Sequence, residues 1–102
     1  MADTGKPALL WIDDEKSLSD PDIQLLEHEG FRIECATTGT EGLALARSGH
    51  YQAILLDLRL PDIPGLSVLA SLRADKTKTP VLVVTGFGDF ESARVAGQLG
   101  YP

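Results

Sequence analysis

The chain has 102 residues, enough for one domain and too few for a second of ordinary size. Acids outnumber bases 15 to 9, for a net charge of −6. Phosphate neutralisation needs clustered Lys and Arg, so no direct nucleic-acid surface is expected. No apolar run approaches the roughly 18 residues of a membrane span, and Met1 to Pro7 has no apolar stretch that could act as a secretory signal. A cytoplasmic protein with no membrane contact is the expectation. The single Cys35 forbids an intrachain disulfide and any cysteine-cluster metal site, and reads as a small buried hydrophobe.

After an N-terminal tail over 1–7, Ala8-Leu9-Leu10-Trp11-Ile12 is a continuous apolar run that stops at Asp13-Asp14-Glu15. Trp11 should pack in the core, with a partner for its indole N–H. Asp20-Pro21 reads as a helix cap followed by the first helical residue, predicting a helix from Pro21 to about Glu29, with Glu15 to Ser19 as a loop or distorted turn. Phe31 to Ala36 alternates apolar and polar, as a half-buried strand does. Thr38 and Glu41 form a capping-box pattern ahead of Gly42 to Arg47, and Gly49 can end that helix. Ala53 to Leu56 is a second buried run, ending in Asp57. Leu66, Leu69 and Leu72 then mark one apolar helix stripe. Val81 to Val84 follows Pro80 and ends in Thr85-Gly86, and Asp89 can cap a last helix over Phe90 to Leu99. His28 and His50, next to glycines near helix ends, read as solvated.

Strands that alternate with helices predict a parallel sheet covered on both faces. Ligands of such sheets bind beyond the carboxyl ends of the strands. Those ends carry Asp13 and Asp14, Asp57, and Thr85. If the first and third strands are neighbours, three carboxylates converge. Two such charges 4 Å apart repel by about 4 kcal/mol at an effective dielectric near 20, so protons or a cation must neutralise the cluster. A donor set of oxygens alone favours Mg²⁺, which keeps waters and takes phosphate oxygens. A carboxylate screened by a metal is a competent phosphoryl acceptor. Taken singly, Asp13 and Asp14 could cap the next segment, Asp57 could be a turn residue and Thr85 a helix cap. Their joint placement at strand ends gives the chemical reading.

Three stretches, Ile12 to Glu15, Leu55 to Gly65 and Pro80 to Gly86, resemble the response-regulator receiver family of two-component signalling. Glu29-Gly30-Phe31 and Thr38 to Leu43 fit the same register, so the similarity covers residues 8 to 100. The resemblance implies a receiver domain over 8–102 with an α/β, flavodoxin-like, doubly wound parallel sheet in the order 2-1-3-4. The family's usual fifth strand and helix are expected to be missing. It also implies that Asp57 accepts a phosphoryl group from a sensor histidine kinase or phosphotransfer protein, and that Asp13, Asp14, Asp57 and the backbone carbonyl of Arg59 hold Mg²⁺. Thr85 would contact the phosphoryl group beside a small Gly86, with Pro61 and Gly65 shaping the loop over the site.

The family's strand-five Lys has no counterpart before Pro102, and Lys76 and Lys78 are expected at the opposite end of the sheet. The apolar edge at Val81 to Val84 then suggests a homodimer or an exchanged element along the helix-four and strand-four edge. The chain is expected to be a switch, with self-catalysed transfer and slow autodephosphorylation, not an enzyme in the ordinary sense. The alternative is a degenerate receiver acting as a phosphorylation-independent interaction or dimerisation module. A Mg²⁺-dependent phosphohydrolase fits less well, for it needs a cap, further acids and a Lys.

Overall fold

A computed structural model describes residues 5–84 of the chain. The strands are β1 (Ala8–Ile12), β2 (Arg32–Ala36), β3 (Ala53–Asp57) and β4 (Val81–Val84), and the helices α1 (Pro21–His28), α2 (Gly39–Ser48) and α3 (Gly65–Ala74). The expected helix over Phe90 to Leu99, together with Thr85, Gly86 and the helix-four edge, lies outside the described residues. The strands form one parallel sheet in the order β2-β1-β3-β4, the order that the resemblance implied.

Apolar runs suit this sheet because side chains alternate between its faces and helices cover both. Leu10, Ile12, Ile54, Leu56 and Val81 point to the side covered by α2 and α3, where they meet Val68, Leu69 and Leu72. Leu9 and Trp11 point to the other side and pack with Ile33 and with Ile23 of α1. β1 is central and buried along its whole length. On β4, Val81 is buried while Leu82 is 51% exposed.

The helix ends follow the sequence signals closely. Asp20 caps α1, its side chain accepting from the Asp22 N–H at 2.9 Å, with Pro21 as the first helical residue. Thr38 caps α2 by accepting from the Glu41 N–H at 3.0 Å, and Gly49 ends that helix. The capping box differs in one detail: Glu41 reaches back to the N–H of Thr37, at 2.9 Å, one residue before the cap.

Two other expectations need correction. Trp11 is buried as expected, but its indole N–H has no hydrogen-bond partner among the described residues, because the ring edge lies within the apolar cluster of Leu9, Ile23 and Ile33. Cys35 is only partly buried, at the margin of that cluster, since its strand is at the sheet edge. His28 and His50 are both exposed, as anticipated.

Candidate functional site

The register of the sheet brings the acids together. Ile12 of β1 stands beside Leu56 of β3, so Asp13, just past β1, and Asp57, the last residue of β3, lie at the same end of the sheet. Asp13 stays tied to the ladder through its N–H, which donates to the Ala36 carbonyl at 2.9 Å. Its Oδ1 accepts from the Glu15 N–H at 2.9 Å, a local turn that bends the chain away from the sheet. Asp13 is only 7% exposed, whereas Asp14 is exposed and Asp57 half-buried. The three residues each offer an oxygen, all within 4.8 Å of one another.

These residues line a cleft of about 470 Å³ with Glu15, Lys16, Arg59 and Val84, ample for a hydrated ion and a phosphoryl group. Burial pushes the Asp57 carboxyl above the usual carboxylate range. The Arg59 N–H, donating to Asp57 Oδ1 at 3.0 Å, pulls the other way, and the neighbouring Asp13 and Asp14 add to the rise. Of the two cations on the cleft walls, Lys16 is already paired with Asp20 and Asp22, and Arg59 meets Asp57 through its backbone N–H. Oxygens around Mg²⁺ sit about 2.1 Å from the ion, so cis neighbours are about 3 Å apart and trans neighbours about 4 Å. The oxygens of the three acids all lie within 4.8 Å of one another, a range that contains both distances. The donor set is all oxygen, and the residues fit a hard divalent cation.

Gly65 lets the next helix start against this site. A Cβ there would lie 2.5 Å from both the Asp57 carbonyl oxygen and Leu58 Cα, and the Gly65 N–H donates to the Leu58 carbonyl at 3.0 Å. Pro61 is exposed in the bend of the same loop. Val84, the residue before Thr85, lies beside Asp57 in the register and lines the cleft. Thr85 and Gly86 themselves lie outside the described residues. Lys76 and Lys78 precede β4, at the end of the sheet away from the cleft, as expected.

Sequence reasoning missed two residues. Lys16 lines the cleft, its ammonium paired with Asp20 at 3.2 Å and Asp22 at 3.1 Å and lying 5.0 Å from the centre of the Trp11 ring. Burial works against the charge of Lys16, but the hydrogen bonds it donates to Asp22 and Asp20, with the attraction of their charges, outweigh it and hold its pKa above the ordinary value. Asp62, in the loop after β3, accepts from the backbone N–H groups of Gly39 and Thr40 and from the Thr40 hydroxyl at 2.8, 2.9 and 2.6 Å. The Thr40 contacts, followed by the Gly39 N–H, hold its carboxyl well below the usual carboxylate range. Strand-end signals could flag neither residue: the partners of Asp62 lie 22 and 23 residues away, and nothing local fixes how the turn after β1 folds Lys16 back over Trp11 and onto Asp20 and Asp22.

The response regulator receiver domain family matches residues 9–101. The transcriptional regulatory protein PmrA of Pectobacterium parmentieri is 40% identical over 89 residues, covering 87% of this chain and 40% of that protein. The chain thus spans about two fifths of the length of that relative. Among solved structures, the response regulator TrrA of Thermotoga maritima, in complex with Mg²⁺ and BeF, is 28% identical with a TM-score of 0.79. That match covers 91% of this chain and 80% of TrrA. A Burkholderia pseudomallei response regulator with a phosphorylated aspartic acid and a calcium ion is 29% identical with a TM-score of 0.81. It covers 93% of this chain and 56% of that one. With the parallel sheet in the order 2-1-3-4 and the acid cluster at its carboxyl end, this chain belongs to the response regulator receiver domain family.

Proposed function

We propose that the chain is a phosphoacceptor: Asp57 takes a phosphoryl group from the phosphohistidine of a sensor histidine kinase or phosphotransfer protein. The observation that carries this reading is the meeting of Asp13, Asp14 and Asp57 in one cleft, with Asp57 at the end of a buried strand. The Arg59 N–H occupies Asp57 Oδ1 and so fixes the carboxylate plane, leaving Oδ2 as the attacking atom. An oxygen–phosphorus bond forms at Asp57 while the nitrogen–phosphorus bond breaks, and the imidazole nitrogen keeps the electron pair. Asp13, Asp14, Asp57 and the Arg59 carbonyl would hold Mg²⁺. When bound, the ion screens the carboxylates and draws charge from the phosphoryl oxygens.

Thr85 would receive a phosphoryl oxygen beside Gly86, and the change there would switch a partner or an output domain. The Thermotoga relative, seen with Mg²⁺ and BeF, and the Burkholderia relative, seen with a phosphorylated aspartic acid, support the same assignment. The chain then acts as a cytoplasmic switch, self-catalysing transfer and slow autodephosphorylation. No helix among the described residues is long and apolar enough to cross a membrane. A second copy or an exchanged element would pack at β4, where Leu82 is exposed.

The test is incubation with Mg²⁺ and acetyl phosphate, followed by intact-mass measurement. The wild type gains one phosphoryl group and the Asp57→Asn variant gains none. A wild type that stays unmodified, or an Asn variant that gains the same mass, refutes the assignment.

A further inference from the structure

The loop between β3 and α3 carries Arg59 along one wall of the cleft, and its ends are pinned close to Asp57. The Arg59 N–H donates to Asp57 Oδ1, and the Gly65 N–H to the Leu58 carbonyl. The middle of the loop is held by Asp62, whose carboxylate binds the first turn of α2, 22 and 23 residues earlier in the chain. The first N–H groups of a helix have no partner within it. Yet α2 has its own cap: Thr38 serves the Glu41 N–H and Glu41 serves the Thr37 N–H. Those bonds leave the Gly39 and Thr40 N–H groups to Asp62, so this one carboxylate completes the helix start and at the same time ties the loop to the helix.

The same helix also touches the opposite wall. A Cβ on Gly42 would lie 2.5 Å from Ile12 Cδ1, so the α2 backbone rests directly on the residue before Asp13. The helix thus spans from the strand end that carries Asp13 and Asp14 to the loop that carries Arg59. We propose that Asp62 is a positioning residue that, through α2, sets the spacing between the Asp13–Asp14 strand end and the Arg59 loop, and so tunes ion binding at Asp57. This rests on the reading of the cleft as a Mg²⁺ and phosphoryl site.

The experiment titrates the full chain with Mg²⁺ alone, following Trp11 fluorescence, and measures urea stability in parallel. The variants are Asp62→Ala, Asp62→Asn and Thr38→Ala. Thr38→Ala removes a cap from the same helix without touching the loop. Outer partners that orient metal ligands carry roughly tenfold or more in affinity, so Asp62→Ala is expected to bind Mg²⁺ about tenfold more weakly. Asp62→Asn keeps one acceptor oxygen and falls between Ala and wild type, and it carries the test if the Ala variant does not fold. Thr38→Ala loses stability and keeps wild-type Mg²⁺ affinity.

Wild-type affinity in both Asp62 variants overturns the inference. So does equal weakening in Thr38→Ala, which would trace the effect to helix stability. If the wild type itself fails to bind Mg²⁺, the ion-site reading falls first and the inference with it.

Discussion

The acid cluster predicts that Asp57→Asn stabilises the ion-free protein at neutral pH. Two unit charges 4.8 Å apart, the outer limit of the observed separations, repel by about 3.5 kcal/mol at an effective dielectric of 20 and about 0.9 kcal/mol in water. Asp13 is buried and acts near the upper figure; Asp14 is exposed and acts near the lower. Side-chain rearrangement in the empty cleft relieves part of the sum, so the net gain on neutralising residue 57 is about 1–3 kcal/mol. Asparagine also keeps an oxygen for the Arg59 N–H and offers an amide donor to Asp13. In a domain of this size each kcal/mol moves Tm by about 4–8 °C.

The sign with pH follows from the raised Asp57 pKa. The folded state holds that proton more tightly than the unfolded chain, whose group titrates near its ordinary value of 3.8. Its contribution to stability is therefore present at acid pH and is lost as pH rises through the elevated folded value. The advantage of the Asn variant should shrink as pH falls toward that range. Saturating Mg²⁺ cancels or reverses that advantage, because at a hundredfold excess over Kd the ion adds about 2.7 kcal/mol to the protein that binds it. Urea melts at pH 7 with EDTA or with Mg²⁺ check both halves. An Asn variant no more stable than wild type in EDTA would refute the electrostatic reasoning.

Gly65→Ala places a methyl group against backbone at Asp57 and Leu58, where no flexible side chain can give way. Overpacking of that kind costs about 1–3 kcal/mol; the expected loss is at the upper end, together with slower phosphorylation, and a urea midpoint equal to wild type would contradict it. Trp11→Phe removes an N–H that has no hydrogen-bond partner among the described residues. Relief of a buried unpaired donor, worth about 1–3 kcal/mol, offsets much of the lost packing, so the net cost should stay below about 1 kcal/mol. A loss of several kcal/mol by the same melts would mean that the indole N–H has a partner.

The strands were readable because a parallel sheet buried on both faces needs unbroken apolar runs, and Ala8 to Ile12 is one. The acids were readable because each ends such a run, and a strand end is where this architecture puts its ligands. Turn chemistry at Asp20-Pro21 and Thr38 was equally local, and the structure follows it. What was not readable depends on how the chain folds back on itself, across 22 and 23 residues for Asp62 and through the turn after β1 for Lys16. Nothing near Asp62 says that its carboxylate serves Gly39 and Thr40, and nothing near Lys16 says that its ammonium folds over Trp11. The Trp11 indole N–H has no partner among the described residues for a related reason: the side chains packed with it from β2 and α1 are apolar, and the Lys16 ammonium over its ring is itself a donor. Gly65 was placed at the loop over the site by the resemblance, but the close approach to the Asp57 carbonyl that requires a glycine there was not visible in the sequence.

The bond from the Asp13 N–H to the Ala36 carbonyl makes that residue a rung of the β1–β2 ladder as well as a wall of the cleft. The fold has thus already met the entropic cost of ordering the main chain there before any ligand arrives. Chelation should leave the amide of residue 13 as slow to exchange with deuterium as those of Leu10 and Ile12. Loss of the ion would register as a change in charge, with little melting of the strand.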